Sequence, residues 1–240
     1  MIHCLHGFLG SPRDWDRFGD FGTGLGIVKA DLFGADAFPD APTMAAWADA
    51  YFAERVGAGP NYLLGYSLGG RLALHLATQF PDAWDGVVIV GANPGLDDAE
   101  ARTARRAHDE TWARRFETQN WDSLLADWNA QAVFGGRPGG ERREEDFSRA
   151  RLADALRRWS LGAQEPLWAA LPALFCPLLW VAGADDSKQH NICRRVSDTV
   201  PVVQIWVAPD TAHRVPWEQP AAFAARVHTF LTQPEIGESQ

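Results

Sequence analysis

Gly65-Tyr66-Ser67-Leu68-Gly69 follows the apolar run Asn61-Tyr62-Leu63-Leu64 and leads into Gly70-Arg71-Leu72-Ala73-Leu74-His75-Leu76-Ala77, which reads as a helix. A Gly-x-Ser-x-Gly between a strand and a helix is a nucleophile elbow. The turn is so tight that residues beside the serine must lack a side chain, and the hydroxyl is thrown out over the end of the sheet. As five letters the pattern is only moderately specific, and a solvated serine on a glycine-rich turn also fits them. Its position between a strand and a helix is what gives it weight.

A serine on such an elbow requires a histidine and an acid, in the chain order serine, acid, histidine. Five histidines follow Ser67. His75 and His108 precede any acid loop and fall in helical patterns. His190 follows the acid loop too closely, and His228 lies inside the apolar C-terminal helix. His213 fits, because it follows the strand Val202–Val207 and precedes a helix near Trp217. For the acid, Leu178-Leu179-Trp180-Val181-Ala182 runs into Gly183-Ala184-Asp185-Asp186. Either aspartate could orient the imidazole. The turn after the strand favours Asp186, with Asp185 as a turn or capping residue.

The oxyanion hole should combine the amide after the nucleophile with one from the loop after an earlier strand. The strand Ile2-His3-Cys4-Leu5 runs directly into His6-Gly7-Phe8-Leu9-Gly10, so the amides of Phe8 and Leu68 are the candidate donors. His6 reads as a residue that positions this loop, since triad order assigns the base to His213.

At 240 residues the chain is expected to form one domain with a substantial core. A net charge of −9 argues against nucleic acid or an anionic membrane as partner. Lys29 and Lys188 are the only lysines, so nearly all the positive charge is arginine, the better grip for carboxylates. Three cysteines (Cys4, Cys176, Cys193) without a CxxC suggest neither a disulfide framework nor a zinc site. No signal peptide or spanning segment is visible, and a cytoplasmic protein is expected, a monomer or small homo-oligomer.

Strands are expected at Ile2–Leu5, Ile27–Ala30, Asn61–Gly65, Val87–Val90, Leu178–Ala182 and Val202–Val207. Helices are expected at Met44–Val56, Leu68–Phe80, Gln189–Thr199 and Trp217–Leu231. This alternation predicts an α/β class with a mostly parallel sheet of about six strands, helices on both faces. With the elbow, the triad order and the His-Gly loop, it resembles the α/β-hydrolase fold. Members often carry an antiparallel hairpin ahead of the first parallel strand. Here the chain starts at the oxyanion strand, so that hairpin is expected to be missing and a sheet edge left open. Helical patterns at Asp97–Phe116, Trp121–Gln131, Glu141–Trp159 and Glu165–Leu171 predict a helical cap over 97–171, inserted into a core of 1–96 and 172–240. Arg114, Arg115, Arg142, Arg143, Arg157 and Arg158 have acids nearby and read as solvated faces. The tail Gln233–Gln240 reads as frayed.

Arg71 discriminates among reactions. Four residues after Ser67, it shares the serine's helix face, and helical side chains lean toward the N-terminus. A charge placed there, under a cap, is a clamp for a substrate carboxylate or half of an ion pair with a cap aspartate. The chain also resembles the 2-succinyl-6-hydroxy-2,4-cyclohexadiene-1-carboxylate synthases of menaquinone biosynthesis. The resemblance rests on Leu5-His6-Gly7-Phe8, Gly65 to Arg71, Asn93-Pro94-Gly95-Leu96, Arg102 to Trp112, Asp127-Trp128 with Val133-Phe134, Ser160 to Gln164, Asp186-Ser187-Lys188, and His213 with Glu218-Gln219-Pro220. The histidine loop departs from it, with Thr211-Ala212-His213 where a Gly-His pair is usual.

The resemblance implies a Ser67-Asp186-His213 triad, substrate-binding arginines Arg71, Arg105 and Arg149, and a cap tryptophan, Trp128, on the pocket wall. Arg151 lies close enough to Arg149 to take its place. It further implies elimination of pyruvate from 2-succinyl-5-enolpyruvyl-6-hydroxy-3-cyclohexene-1-carboxylate, a small substrate with three carboxylates, with no metal or organic cofactor. The competing readings are a carboxylesterase or C–C-bond hydrolase using Ser67 as a covalent nucleophile, and an idle scaffold.

Overall fold

Six short apolar runs pair through their backbones into one sheet: β1 (Ile2–Leu5), β2 (Ile27–Ala30), β3 (Tyr62–Tyr66), β4 (Gly86–Val90), β5 (Leu178–Gly183) and β6 (Val203–Ala208). The computed structural model describes residues 1–34, 38 and 41–233, so the tail beyond Gln233 lies outside the described residues. Every pairing is parallel, in the order β2-β1-β3-β4-β5-β6, which leaves β2 and β6 as the edges.

Side chains alternate across a strand, and for the central strands both faces are covered, which is why β4 and β5 read as continuous apolar runs. On β4, Val87 and Ile89 enter one core while Val88 and Val90 enter the other. On β5, Leu178, Trp180 and Ala182 oppose Leu179 and Val181 in the same way. The first core is closed by α1 (Met44–Arg55), α2 (Leu68–Gln79) and α6 (Ser187–Thr199), through Trp47, Tyr51, Leu72, Leu76 and Val196. The second is closed by Trp15 and Phe18 of the 3-10 segment Pro12–Phe18 and by Phe223, Val227 and Phe230 of α8 (Pro220–Thr232).

The single helix expected over Trp217–Leu231 is two, a short α7 (Val215–Glu218) followed by α8. Pro220 crowds a helical conformation at the residue before it, and Gln219 accordingly sits at φ −132°, ψ 64°.

Between β4 and β5 lie α3 (Ala99–Thr118), α4 (Trp121–Asn129) and α5 (Arg149–Arg158), with α3 packed along α5. The helix expected over Glu141–Trp159 begins only at Arg149, where the Ser148 side chain accepts the Arg151 amide, and Glu144–Asp146 forms one 3-10 turn. The helix expected over Glu165–Leu171 is not formed. Its backbone is spent elsewhere: the Leu167 amide donates to the Pro94 carbonyl at 2.8 Å, and the Trp168 indole donates to Gly95 at 2.9 Å. These bonds dock the segment on the Asn93-Pro94-Gly95 loop. At Gly95 (φ +137°) a Cβ would lie 2.5 Å from the Pro166 Cα, so the approach itself requires glycine.

Candidate active site

Ser67 joins β3 to α2 at φ 53°, ψ −109°, a conformation that costs energy for any residue with a side chain. The neighbouring backbone forces it. A Cβ on Gly69 would sit 2.3 Å from the Leu5 carbonyl oxygen, so α2 starts hard against the end of β1. The Ser67 amide donates to Val90 at 2.8 Å, which pins the elbow to β4.

The Ser67 Oγ lies 3.0 Å from His213 Nε2, and His213 Nδ1 lies 2.8 Å from the Asp186 carboxylate. An acceptor-only carboxylate at Nδ1 puts the imidazole proton there, leaving Nε2 to accept from the serine hydroxyl. Asp186 is 3% exposed, whereas Asp185 is half exposed and pairs with Arg137 at 2.6 Å, outside this chain of bonds. The histidine loop lacks the usual glycine and is braced instead by Glu218. Its carboxylate accepts the Ala212 amide at 2.8 Å and the Arg214 amide at 2.9 Å, bracketing His213. From the helical insertion, Arg137 donates to Glu218 at 2.8 Å, and Val133 accepts the His213 amide at 3.3 Å.

Phe8 and Leu68 both border the cavity in front of Ser67, and among the described residues neither amide donates to a protein acceptor. His6 holds the Phe8 loop: its Nδ1 donates to Gly7 at 2.8 Å and its Nε2 accepts the Leu32 amide at 3.0 Å. Burial lowers its pKa, which keeps the ring neutral and suited to both bonds.

The cavity measures about 1140 Å³ and lies between the ends of the strands and the helical insertion. Arg71 reaches into it. Its guanidinium donates to the Trp159 carbonyl at 2.8 Å and to Gln164 Oε1 at 3.2 Å, and no described carboxylate pairs with it. Burial, then the charge of Arg105, pull its pKa down to about 9, against a smaller opposing pull from Asp109; it remains charged at neutral pH. Arg105 also borders the cavity. Its Nε is held 2.8 Å from both oxygens of buried Asp109, which also accepts the Ser160 hydroxyl at 2.7 Å. This leaves the two terminal nitrogens of Arg105 without protein partners among the described residues. Trp128 lies on the wall, packed against Phe8 at 4.9 Å between ring centres.

Arg149 is not brought to the cavity. Its guanidinium donates to Glu144 and to the Phe116 and Gln119 carbonyls, and it lies over the Trp121 ring. Arg149 is the first residue of α5 and is committed to these partners, and Arg151 is likewise engaged elsewhere, on the Phe33 carbonyl. Four arginines that the sequence did not single out as site residues border the cavity: Arg17, Arg137, Arg142, paired with Asp14 at 2.9 Å, and Arg214, directly after the histidine. Arg142 resembled its charged neighbours because its acid is far away in sequence. The other arginines read as solvated do pair with acids on the insertion, as Arg157 does with Glu110 and Glu117. Among the described residues no group of His, Cys, Asp and Glu could hold a metal ion, and no helix is long and apolar enough to cross a membrane.

Residues 4–226 match the alpha/beta hydrolase family. The chain is 35% identical over 243 residues to the 2-succinyl-6-hydroxy-2,4-cyclohexadiene-1-carboxylate synthase of Pectobacterium atrosepticum, covering 96% of this chain and 93% of that protein. It is 34% identical over 245 residues to the enzyme of the same name from Serratia proteamaculans, covering 96% and 92%. The solved structure of MenH from S. aureus superposes with a TM-score of 0.87 at 21% identity, covering 97% of this chain and 93% of that one, a likeness of fold.

Proposed function

This chain belongs to the α/β-hydrolase family and, within it, to the 2-succinyl-6-hydroxy-2,4-cyclohexadiene-1-carboxylate synthases, and from that membership we propose that it is a cytoplasmic lyase of menaquinone biosynthesis. It eliminates pyruvate from 2-succinyl-5-enolpyruvyl-6-hydroxy-3-cyclohexene-1-carboxylate. The observation that carries this reading is Arg71, a guanidinium one helical turn from Ser67, inside the cavity and without a carboxylate of its own among the described residues. A charge left so is costly unless the ligand supplies the anion. A simple neutral ester supplies none.

In the proposed reaction a ring C–H bond loses its proton and the C–O bond to the enolpyruvyl group breaks. The electron pair of the C–H bond at ring carbon 2 forms a double bond to carbon 3, the existing double bond moves from carbons 3 and 4 to carbons 4 and 5, and the pair of the C–O bond leaves carbon 5 with the enolpyruvyl oxygen. The departing enolate takes a proton at carbon and becomes pyruvate. Ser67 is the base, passing the proton to His213 Nε2, and Asp186 stabilises the resulting imidazolium. No acyl-enzyme is needed. The Phe8 and Leu68 amides face charge that spreads through the conjugated system. Arg71 and Arg105 engage substrate carboxylates through charge-assisted bonds, and Trp128 packs on the ring. Residues 97–171 act as the cap that excludes water from this step.

The test is pyruvate formation, followed through lactate dehydrogenase and NADH, with purified enzyme and the enolpyruvyl substrate. Turnover that disappears in Ser67→Ala supports the reading. Inert wild-type enzyme that cleaves simple carboxylic esters instead supports a hydrolase.

A further inference from the structure

Five arginines besides Arg71 border the cavity, and their pairing sorts them. Arg105 is held by Asp109, Arg142 by Asp14, and Arg137 by Asp185 and Glu218. Arg17 stands exposed at the rim. Arg214 is left. It is half-buried, and among the described residues no carboxylate lies within ion-pairing distance of its guanidinium, a condition it shares with Arg71.

What holds the Arg214 head is neutral. Nη1 donates to the Arg137 carbonyl at 3.1 Å and Nη2 to the Asn129 side-chain oxygen, while the planar group lies 3.6 Å over the Phe134 ring. Two of five N–H donors are used, and the stacked plane fixes where the other three point. Glu218 does not serve it, because that carboxylate is occupied by the Ala212 and Arg214 amides and by Arg137 Nε. Arg71 and Arg214 share no contact residue. The first rests on Trp159 and Gln164, the second on Asn129, Phe134 and Arg137, so they mark two separate positions for anionic groups. Desolvation lowers the Arg214 pKa, against smaller opposing pulls from Tyr66 and Glu218.

We propose that Arg214 is a carboxylate-binding residue of the cavity, set beside the triad histidine, that grips an anionic group of the substrate distant from the group held by Arg71. The proposal rests on the lyase reading for the identity of the substrate and on geometry alone for the site. It fills the position that Arg149 leaves open in a substrate of three carboxylates. A purely mechanical role, latching the insertion to the histidine loop through Asn129 and Arg137, makes a different forecast, because those two acceptors need a donor and not a charge.

The experiment compares Arg214→Gln and Arg214→Lys with wild type in pyruvate release, thermal unfolding and calorimetric titration with isophthalate, a rigid dicarboxylate. Arg214→Gln should raise KM roughly 10- to 200-fold, the range for one charge-assisted bond, with kcat affected far less. Arg214→Lys should recover part of that loss, and Tm should hold. An unchanged KM, or a fall in kcat at constant KM with a lowered Tm, overturns the proposal in favour of the latch. If wild-type enzyme releases no pyruvate, the lyase reading fails and the titration decides alone. At least tenfold weaker isophthalate binding in Arg214→Gln sustains the site, and equal affinity or no binding to wild type overturns it.

Discussion

Replacing Arg71 by methionine should separate catalysis from stability. The methionine stem keeps most of the packing beside Met44 and removes the guanidinium. Two neutral acceptors, the Trp159 carbonyl and Gln164 Oε1, then lose a donor, at about 1–3 kcal/mol each if they stay dry. Against that, a half-buried cation without a carboxylate disappears, and its desolvation cost of several kcal/mol disappears with it. The two effects oppose each other, and the cavity admits water to the orphaned acceptors. The net change should stay within about 2 kcal/mol, or roughly 4–8 °C in Tm for a chain of this size. Activity has no such compensation. Losing one charge-assisted bond to a carboxylate costs about 1.5–3 kcal/mol, so kcat/KM for pyruvate release should fall roughly 10- to 200-fold. Lysine at this position should recover only part, since a point charge cannot make a two-point contact. Differential scanning calorimetry beside the coupled pyruvate assay measures both quantities. Near-normal kcat/KM with a Tm lowered by more than about 10 °C would make Arg71 a structural tie and not a substrate-binding group.

Asp186→Asn should retain the fold and lower kcat by about 10⁴, the size of loss known for the same change at the orienting aspartate of trypsin, while half-exposed Asp185→Asn should cost little; the reverse ranking in steady-state kinetics would reassign the acid. Glu218→Gln should lower kcat about 10- to 100-fold, because an amide cannot accept from both the Ala212 and Arg214 amides, and a change in KM alone would contradict a positioning role. Burial lowers the pKa of His75 to about 4, so the unfolded chain, at 6.5, binds the extra proton between those values and stability falls as pH drops through that window. The loss reaches on the order of 2 kcal/mol at pH 5, and urea unfolding at pH 7 and pH 5 should show a smaller difference in His75→Leu than in wild type.

The parts of the fold that were legible in the sequence are those dictated locally. Gly65 and Gly69 are required by backbone contacts within a few residues of Ser67 or at the end of the adjoining strand, so the elbow can be read from five letters. The central strands β3, β4 and β5 were legible because both faces are buried and their runs are apolar, while the half-buried edge strands β2 and β6 carry Lys29 and Gln204 within shorter apolar runs. Element ends were less so: Gln219 breaks a helix that apolar periodicity alone continues, although Pro220 announces the break. Glu165–Leu171 carries a helical pattern whose amide and indole donors are taken by a loop some seventy positions earlier, a tertiary bond that no local signal carries. The arginines divide along the same line. Arg71 sits one turn after Ser67, where side-chain direction follows from spacing, whereas Arg105 was marked only by the family resemblance; both border the cavity. Arg149 and Arg142 flank an irregular stretch whose path decides which one faces inward, and the structure turns Arg142 in. Asp109 was within reach, four residues after Arg105 on the same helix, and Glu218 stood in the Glu218-Gln219-Pro220 motif with no role assigned to it.

In the proposed elimination Ser67 works as a base and forms no bond to the substrate. The decisive measurement follows pyruvate release from the enolpyruvyl substrate while recording the intact mass of the enzyme, with p-nitrophenyl acetate run in parallel. Rapid pyruvate release with the mass of Ser67-bearing enzyme unchanged throughout, and slow ester turnover without a burst, is the predicted result. A burst of one equivalent of p-nitrophenol with an acetyl adduct on Ser67, and no pyruvate from the enolpyruvyl substrate, would contradict it.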